Sequence, residues 1–172
     1  KSQEEDHWES PLKIPLILSG TFGELRSNHF HSGIDFKTNK EIGIPIFAPA
    51  SGYISRIKVS PTGFGKAIYI AHENGLTTVY AHLENFNKEI NQYILQKQYD
   101  LKTFSLDLNI DSDKFKIEKG DNIGYTGNSG SSSGPHLHFE IRNTKTQHPL
   151  NPMNWNFEIK DTKKPIIESV FI

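Results

Sequence analysis

Residues 42–83 read IGIPIFAPASGYISRIKVSPTGFGKAIYIAHENGLTTVYAHL, a stretch rich in β-branched and aromatic residues between Pro, Gly and Asn. Apolar runs of this composition, separated by turn-forming residues, are typical of β-strands. Asn74 and Gly75 lie between two of these runs, and this dipeptide predicts a tight hairpin turn. The stretch therefore predicts a mainly β fold with antiparallel strands.

The sequence beyond this stretch interrupts the β pattern once. Residues 86–114 are expected to form a helical insertion, because their apolar residues have helical spacing near residues 87–104. The residues with that spacing are Ile90, Ile94, Leu95 and Leu101. Short strands are expected again within residues 115–142, which read FKIEKGDNIGYTGNSGSSSGPHLHFEIR.

We expect one main domain, because 172 residues with 35% hydrophobic content can bury a single core of ordinary size. Residues 1–11 are expected to form a polar N-terminal lead-in, and residues 12–160 the domain itself. Within that domain, residues 12–20 (LKIPLILSG) are the first apolar run able to pair as a strand. Residues 161–172 resemble the start of a further element that is cut off by the end of the chain.

Composition excludes several classes of function. The formal net charge is −1, which gives no electrostatic basis for binding nucleic acid or an anionic membrane. No apolar run approaches the roughly 18 residues that a membrane span needs, and the first ten residues do not resemble a signal peptide. The chain has no cysteine, so any zinc ion must be bound by histidine and carboxylate.

Two histidine clusters stand out among the eight histidines of the chain. In HFHSGID, His31 and Asp35 are four residues apart around a glycine. In PHLHFE, His136 and His138 are two apart, so both imidazoles point to one face of a strand. Each motif alone is weak, since such pairs commonly lie on a polar surface. A catalytic zinc takes three ligands from these residue types, and one histidine of the second cluster with His31 and Asp35 would meet that requirement.

The order of several short motifs is more specific than any one of them. HSGIDF, APASGYI, IAHENGLTTVYAHL, KGDNIGYTGNSG and SGPHLHFEIR follow one another between about Gly20 and Pro152. This combination resembles the lysostaphin/LytM-type family of zinc metallopeptidases. The resemblance implies an antiparallel sheet that forms a groove, of the duplicated hybrid or barrel-sandwich type, with the helical insertion added to it.

The resemblance also implies a residue-by-residue assignment of the site. It implies one Zn²⁺ ion held by His31, Asp35 and His138, and catalytic roles for His82 and His136. In that chemistry a metal-activated water attacks a peptide carbonyl, and His136 accepts the proton of the water and passes it to the leaving amine. His82 orients the water or stabilises the oxyanion. Ligand type alone leaves iron as an alternative metal.

The implied substrate is the peptide part of bacterial peptidoglycan, cut by an endopeptidase in the cell envelope, periplasmic or extracellular. A bond between D-alanine and a diamino acid is expected in preference to a glycine bridge. The alternatives are a non-catalytic regulator that activates another cell-wall hydrolase, and a peptidoglycan- or carbohydrate-binding module without zinc. The presence of all five site residues favours the enzyme. A further C-terminal domain or a protein regulator stays a candidate partner.

The other histidines are expected to have different roles. His72 precedes the predicted hairpin turn and is taken as structural. His29 is taken as a surface residue, with a role as rival ligand as the alternative. Glu140 shares a strand face with His138 and either holds a ligand imidazole or is structural. Solvated positions are expected for His7 and His148.

Overall fold

The computed structural model describes residues 8–27 and 29–160 of the chain. Within them the chain forms short and medium strands, one α-helix and one 3₁₀ helix. The strands are β1 (Leu18–Gly20), β2 (Ile34–Lys37), β3 (Pro45–Phe47), β4 (Gly52–Val59), β5 (Lys66–Ala71), β6 (Leu76–Ala81), β7 (Asn85–Phe86), β8 (Leu106–Asn109), β9 (Lys116–Ile117), β10 (Asn122–Tyr125), β11 (His136–Asn143) and β12 (Pro149–Leu150). The helices are α1 (Lys88–Leu101) and the 3₁₀ turn Pro152–Trp155.

The strands form two antiparallel sheets. In the larger, nine-stranded sheet the order is β1-β2-β11-β6-β5-β4-β8, with β12 beside β11 and β9 beside β4. The smaller sheet has the order β3-β10-β7. The prediction of a mainly β, antiparallel fold with one helix is confirmed.

The hairpin between β5 and β6 forms where the sequence predicts it. Ala71 and Thr77 are the last paired residues before the turn, and Gly75 has a φ of 78°. A positive φ costs glycine little because it has no Cβ atom. The Asn74-Gly75 turn thus fixes the register of two central strands of the large sheet.

Strand β11 shows how the core and the site share one sheet. Its residues Leu137, Phe139 and Ile141 are fully buried in the hydrophobic core. Because side chains alternate along a strand, His136 and His138 point to the other face. Residues from both sheets contribute to that one core, including Ile46 and Ile123 of the small sheet and Ile57 and Tyr80 of the large one.

Helix α1 begins after Asn87, whose side chain accepts a hydrogen bond of 3.0 Å from the backbone N–H of Ile90. Such an N-cap satisfies one of the otherwise unpaired N–H groups of the first turn. The helix packs on the core through Ile90 and Ile94. Leu95 and Leu101 are exposed, so the buried stripe is narrower than the apolar spacing predicts.

The remainder of the expected insertion returns to the sheet. After α1 the chain forms β8, which pairs antiparallel with β4, so that Leu106 lies opposite Val59 and Asn109 opposite Arg56. The insertion expected at residues 86–114 therefore consists of a helix and a strand. Its strand extends the edge of the large sheet beyond β4.

The N-terminal part of the described chain is more integrated than its composition suggests. Trp8 is 4% exposed and packs in the core, although it lies in the expected polar lead-in. In residues 12–20, only β1 is a strand, and Leu12 and Leu16 make single bridges. Pro15 lacks the N–H group that a continuous ladder needs.

The expected division of the chain into a lead-in, a domain of residues 12–160 and a further element stays a prediction. Residues 161–172, where the further element is expected, lie outside the described residues. Among the described residues, no helix is both long and apolar enough to cross a membrane.

Candidate active site

The register of three strands brings the sequence motifs together. On one side of β11, His138 lies opposite Asp35 of β2, and on the other side it lies opposite Ala81 of β6. His82 directly follows Ala81 at the end of β6. Three motifs that are far apart in the sequence thus meet on one face of the sheet.

His31 reaches the same place from the loop before β2. The backbone N–H of His31 donates to the carbonyl of Glu24 at 2.8 Å, and its carbonyl accepts from Gly23 at 2.9 Å. Its Nδ1–H donates to the carbonyl of Thr21 at 2.8 Å. Because a carbonyl only accepts, this bond fixes the tautomer and leaves Nε2 of His31 with a free lone pair.

Three acceptor atoms converge at the centre of the site. Nε2 of His31 is 3.0 Å from Nδ1 of His138 and 3.1 Å from Oδ1 of Asp35, and the last two atoms are 2.9 Å apart. Ligand atoms of a tetrahedral zinc ion stand roughly 3.3 Å from one another. His31, Asp35 and His138 are buried and could hold a metal ion.

His138 is held from its other ring nitrogen by a buried carboxylate. Nε2 of His138 is 2.9 Å from Oε1 of Glu140, which is itself fully buried and accepts hydrogen bonds from Ser32 and Arg142. Burial would raise the pKa of Glu140, but the hydrogen bonds to His138 and Arg142 lower it to about 2. Glu140 is therefore ionised and orients the imidazole through a charged hydrogen bond, as carboxylates do behind metal-bound histidines. The contact agrees with the first of its two expected roles, in which it holds the His138 imidazole, and the role of His138 as a ligand stays a prediction.

Charges at the centre favour a cation. Burial would raise the pKa of Asp35, but the hydrogen bond from His138 and the charge of that imidazole hold it well below its usual range. Burial would lower the pKa of His138, but the hydrogen bonds to Asp35 and Glu140 and their charges raise it to about 9. In the metal-free protein a proton thus stabilises this group of acceptors. A metal ion would satisfy the same atoms.

His136 and His82 stand beside this group with their ring centroids 4.8 Å apart. Nδ1–H of His136 donates to the carbonyl of Gly134 at 2.8 Å, and Nδ1–H of His82 donates to the carbonyl of Ser129 at 2.8 Å. In the neutral rings Nε2 is therefore the acceptor. Nε2 of His136 is 3.5 Å from Oδ1 of Asp35, so His136 borders the candidate ligands directly.

His82 occupies an unusual backbone conformation for its residue type. Its φ is 61°, in the left-handed region that costs a residue with a Cβ atom roughly 1 kcal/mol or more. The N–H of His82 donates to Phe64 and its carbonyl accepts from Ser129, which holds this turn at the end of β6. Burial lowers the pKa of His82 to about 4, and the hydrogen bond to Ser129 offsets this only in part.

The site opens into a cavity of about 360 Å³. Its lining includes Gly63 and Phe64, and the ring of Phe64 lies 5.1 Å from that of His138. It also includes Ser131, Ser132 and Ser133 of the loop before β11. The two loops are joined by hydrogen bonds between Gly63 and Ser131 in both directions. An extended peptide could reach the histidines from this side.

Of the remaining histidines that the structure describes, one is buried and two are exposed. His72 is buried, and its ring nitrogens lie 2.9 Å from the carbonyl of Ser51 and 2.8 Å from Oγ1 of Thr78, which confirms a structural role. His29 is exposed and lines the cavity, but it is not part of the ligand cluster. His148 is exposed, and His7 lies outside the described residues.

Sequence reasoning did not single out four residues that contact the site: Arg26, Ser32, Phe64 and Arg142. Arg26 donates to Asp35 at 2.9 Å, and the other three contact His138 or Glu140. The position of Ser32 directly after His31 was the one available signal. An arginine or phenylalanine at the other positions is not distinguishable from an ordinary loop or strand residue.

A carboxylate and two imidazoles that converge beside two further histidines, in an open cleft on a β-sheet, define a candidate metallohydrolase. The chain belongs to Peptidase family M23, whose sequence model matches residues 29–99 and 106–152. This confirms the resemblance to the lysostaphin/LytM type.

Individual relatives agree with this assignment. The chain is 32% identical over 148 residues to the DD-carboxypeptidase/endopeptidase Mpg of Neisseria meningitidis, covering 81% of this chain and 28% of that protein. It is 29% identical over 126 residues to the peptidoglycan DD-endopeptidase ShyA of Vibrio cholerae, covering 73% and 23%. The catalytic domain of lysostaphin from Staphylococcus simulans superposes with a TM-score of 0.55 at 25% identity, covering 79% of this chain and 86% of that domain. The chain thus spans less than a third of the length of Mpg and of ShyA.

Proposed function

We propose that the chain is a zinc metalloendopeptidase that hydrolyses peptide bonds in the stem or cross-link peptides of bacterial peptidoglycan. One observation carries the proposal. Nε2 of His31, Oδ1 of Asp35 and Nδ1 of His138 lie within 3.1 Å of one another, while the far nitrogen of each histidine already has an acceptor. Three acceptors arranged in this way favour a shared cation.

Zinc fits this donor set. Two neutral imidazoles and one carboxylate are a common ligand set of catalytic zinc, which keeps a further position open. Such an ion supplies Lewis-acid chemistry, by which it polarises a carbonyl and makes water a stronger nucleophile. His31, Asp35 and His138 would hold the ion, and Thr21 and Glu140 would keep the two imidazoles in the required tautomers.

The two remaining histidines would act on the attacking water. His136 presents Nε2 as an acceptor beside Oδ1 of Asp35, so it would accept a proton from the attacking water and return it to the leaving amine. His82 also presents Nε2 as an acceptor, and its low pKa keeps it neutral. A neutral Nε2 without hydrogen orients a water molecule and does not donate to an oxyanion. We therefore assign water orientation to His82.

The substrate proposal rests on the relatives. ShyA is named a peptidoglycan DD-endopeptidase and Mpg a DD-carboxypeptidase/endopeptidase, which supports a bond after a D-amino acid in preference to a glycine bridge. Accordingly we propose cleavage between D-alanine and a diamino acid. Such a substrate would place the protein in the cell envelope, periplasmic or extracellular.

The experiment combines metal content with digestion of purified peptidoglycan that contains D-alanyl–diamino acid cross-links. The proteins compared are the wild type, His136→Ala, and His148→Ala as a control at an exposed histidine. We expect one zinc per chain in all three, with release of cross-link fragments, identified by mass spectrometry, by the wild type and the control alone.

Two other outcomes would contradict the proposal in different ways. Stoichiometric zinc without cleavage by the wild type would favour the non-catalytic regulator, to be tested by adding a second cell-wall hydrolase. A folded wild-type protein that binds no zinc, even when zinc is supplied, would reject the metallopeptidase and leave a binding module.

A further inference from the structure

Arg26 contacts the candidate metal centre from the loop before His31. Nη2 of Arg26 donates to Oδ2 of Asp35 at 2.9 Å. The other carboxylate oxygen, Oδ1, is the atom that faces Nδ1 of His138 and Nε2 of His31. The two oxygens of Asp35 are therefore engaged on opposite sides, one by the guanidinium group and one by the histidines.

Gly20 leaves the space that the contact between Arg26 and Asp35 occupies. Gly20 lies opposite Asp35 in the β1–β2 pair. A Cβ atom on Gly20 would come within 2.4 Å of both Nη2 of Arg26 and Oδ2 of Asp35, closer than atoms can approach. Glycine at this position is thus required by the arginine–carboxylate contact itself.

The loop that carries Arg26 is fixed by its own hydrogen bonds. The N–H of Arg26 donates to the carbonyl of His29 at 2.9 Å, and the N–H of His31 donates to Glu24 at 2.8 Å. The carboxylate of Glu24 lies 3.5 Å from the guanidinium group and accepts from the N–H of Thr21 at 3.0 Å. The same loop therefore orients His31, through Thr21, and Asp35, through Arg26.

We propose that Arg26 is a positioning residue that holds Asp35 as a single-oxygen ligand of the metal ion. The proposal rests on the proposed function, since it requires that the cluster binds a metal. The terminal torsion of an aspartate is broad, so a carboxylate without a second partner can rotate and offer either oxygen or both. A hydrogen bond from a fixed guanidinium group removes that freedom.

The charge of Arg26 has an effect on metal binding that opposes positioning. A guanidinium cation beside the site repels a metal cation, so its removal would strengthen metal binding if charge were the larger effect. Positioning predicts the opposite sign. The direction in which zinc affinity changes therefore separates the two effects.

The experiment measures zinc affinity of the metal-free protein by competition with a chromophoric chelator, for the wild type, Arg26→Gln and Arg56→Gln. Arg56 is a matched control, because its guanidinium group also binds an aspartate, Asp107, through two bonds of 2.7 Å, but on strands away from the site. We expect Arg26→Gln to weaken zinc binding about tenfold to a hundredfold, the usual effect of removing a partner behind a metal ligand. Arg56→Gln should leave zinc affinity within about twofold of the wild type.

A spectroscopic measurement tests the coordination itself. In Co²⁺-substituted protein, a change from one to two aspartate oxygens would lower the intensity of the visible bands in Arg26→Gln but not in Arg56→Gln. Gly20→Ala, whose Cβ atom would displace both Arg26 and Asp35, should change affinity and spectrum in the same direction. Arg26→Lys, with one remaining donor, should recover part of the affinity.

Three results would overturn the inference: unchanged zinc affinity and cobalt spectrum in both Arg26→Gln and Gly20→Ala, tighter zinc binding by Arg26→Gln, or an equal loss in Arg56→Gln. Should Arg26→Gln not fold, as judged by circular dichroism, Arg26→Lys decides the question. Failure of the proposed function gives a different result, because the wild type itself would then bind no zinc or release no fragments.

Discussion

Asp35 lies directly opposite His138 on the neighbouring antiparallel strands β2 and β11, and their facing atoms Oδ1 and Nδ1 are 2.9 Å apart. The backbone register therefore sets the distance between two candidate ligands. A slip of one residue would turn His138 towards the core face. Core residues on the same strand, Leu137 and Phe139, are fully buried and so hold the two candidate ligands in place through their own packing.

Zinc binding should release a proton at neutral pH. The pKa of His138 is raised to about 9 in the metal-free protein, so the imidazole is protonated at pH 7, whereas a metal ligand must be neutral. We expect the apparent zinc affinity to rise at least about tenfold per pH unit between pH 7 and 9, because ionisation of a zinc-bound water adds to the loss of the His138 proton. Calorimetry in two buffers of different ionisation enthalpy should give at least about one proton per zinc at pH 7. Zinc binding without proton release at pH 7 would contradict this assignment.

His82 should remain neutral throughout the physiological pH range. Burial lowers its pKa to about 4, and a metal cation nearby would lower it further, because it disfavours a second positive charge. Nitrogen and carbon NMR shifts of labelled histidine should therefore show an Nδ1–H tautomer with no titration above about pH 5. The His82→Ala spectrum identifies the signal. An inflection between pH 5 and 8 would exclude the acceptor role proposed for this residue.

Turn residues and the alternation of side chains along a strand predict much of the fold, because both act between residues that are close in the sequence. The Asn74-Gly75 turn fixes the β5–β6 hairpin, and the alternation in β11 assigns Phe139 to the core and His138 to the other face. Apolar spacing predicts the helix, which begins at Lys88. The structure also brings all five predicted site residues into one cleft.

Contacts that depend on loop conformation could not be predicted. Arg26 reaches Asp35 only because the loop turns back and Gly20 leaves space for it, and neither fact is visible in a single sequence. Likewise Trp8 lies among polar residues in the sequence, yet it packs in the core against Trp155. Burial of this kind depends on which distant segment covers a side chain.

Gly130 should be required for both stability and activity. Its φ is 73°, and a Cβ atom there would lie 2.3 Å from the carbonyl of Gly63 and the N–H of Gly65. We expect Gly130→Ala to lower the free energy of unfolding by about 2 kcal/mol or more. Displacement of Ser129, which orients His82, should also reduce the rate of fragment release. Urea unfolding and peptidoglycan digestion measure the two effects.

The control for this change is Gly134→Ala in the same loop. Apart from its chain neighbours, no atom lies within 4 Å of a Cβ built on Gly134. The φ of Gly134 is not positive. We expect the free energy of unfolding to change by less than about 0.5 kcal/mol. Equal effects at both positions would mean that the close approach of the two loops is not what requires glycine.

Trp8 should contribute to the stability of the whole domain. Its ring lies 5.1 Å from that of His72 and 5.8 Å from that of Trp155, measured between centroids, so it joins the N-terminal segment to the hairpin and to the 3₁₀ turn. Truncation of a buried tryptophan removes apolar contacts and leaves a cavity, and we expect Trp8→Ala to cost about 3 to 5 kcal/mol in urea unfolding. Tyr99→Ala is the control, because Tyr99 is 73% exposed and the loss of its ring should cost little. Zinc affinity of folded Trp8→Ala should match the wild type, since Trp8 contacts no candidate ligand. A small, similar effect of both substitutions would mean that the N-terminal segment rests on the domain without stabilising it, and that the stable core begins after Trp8.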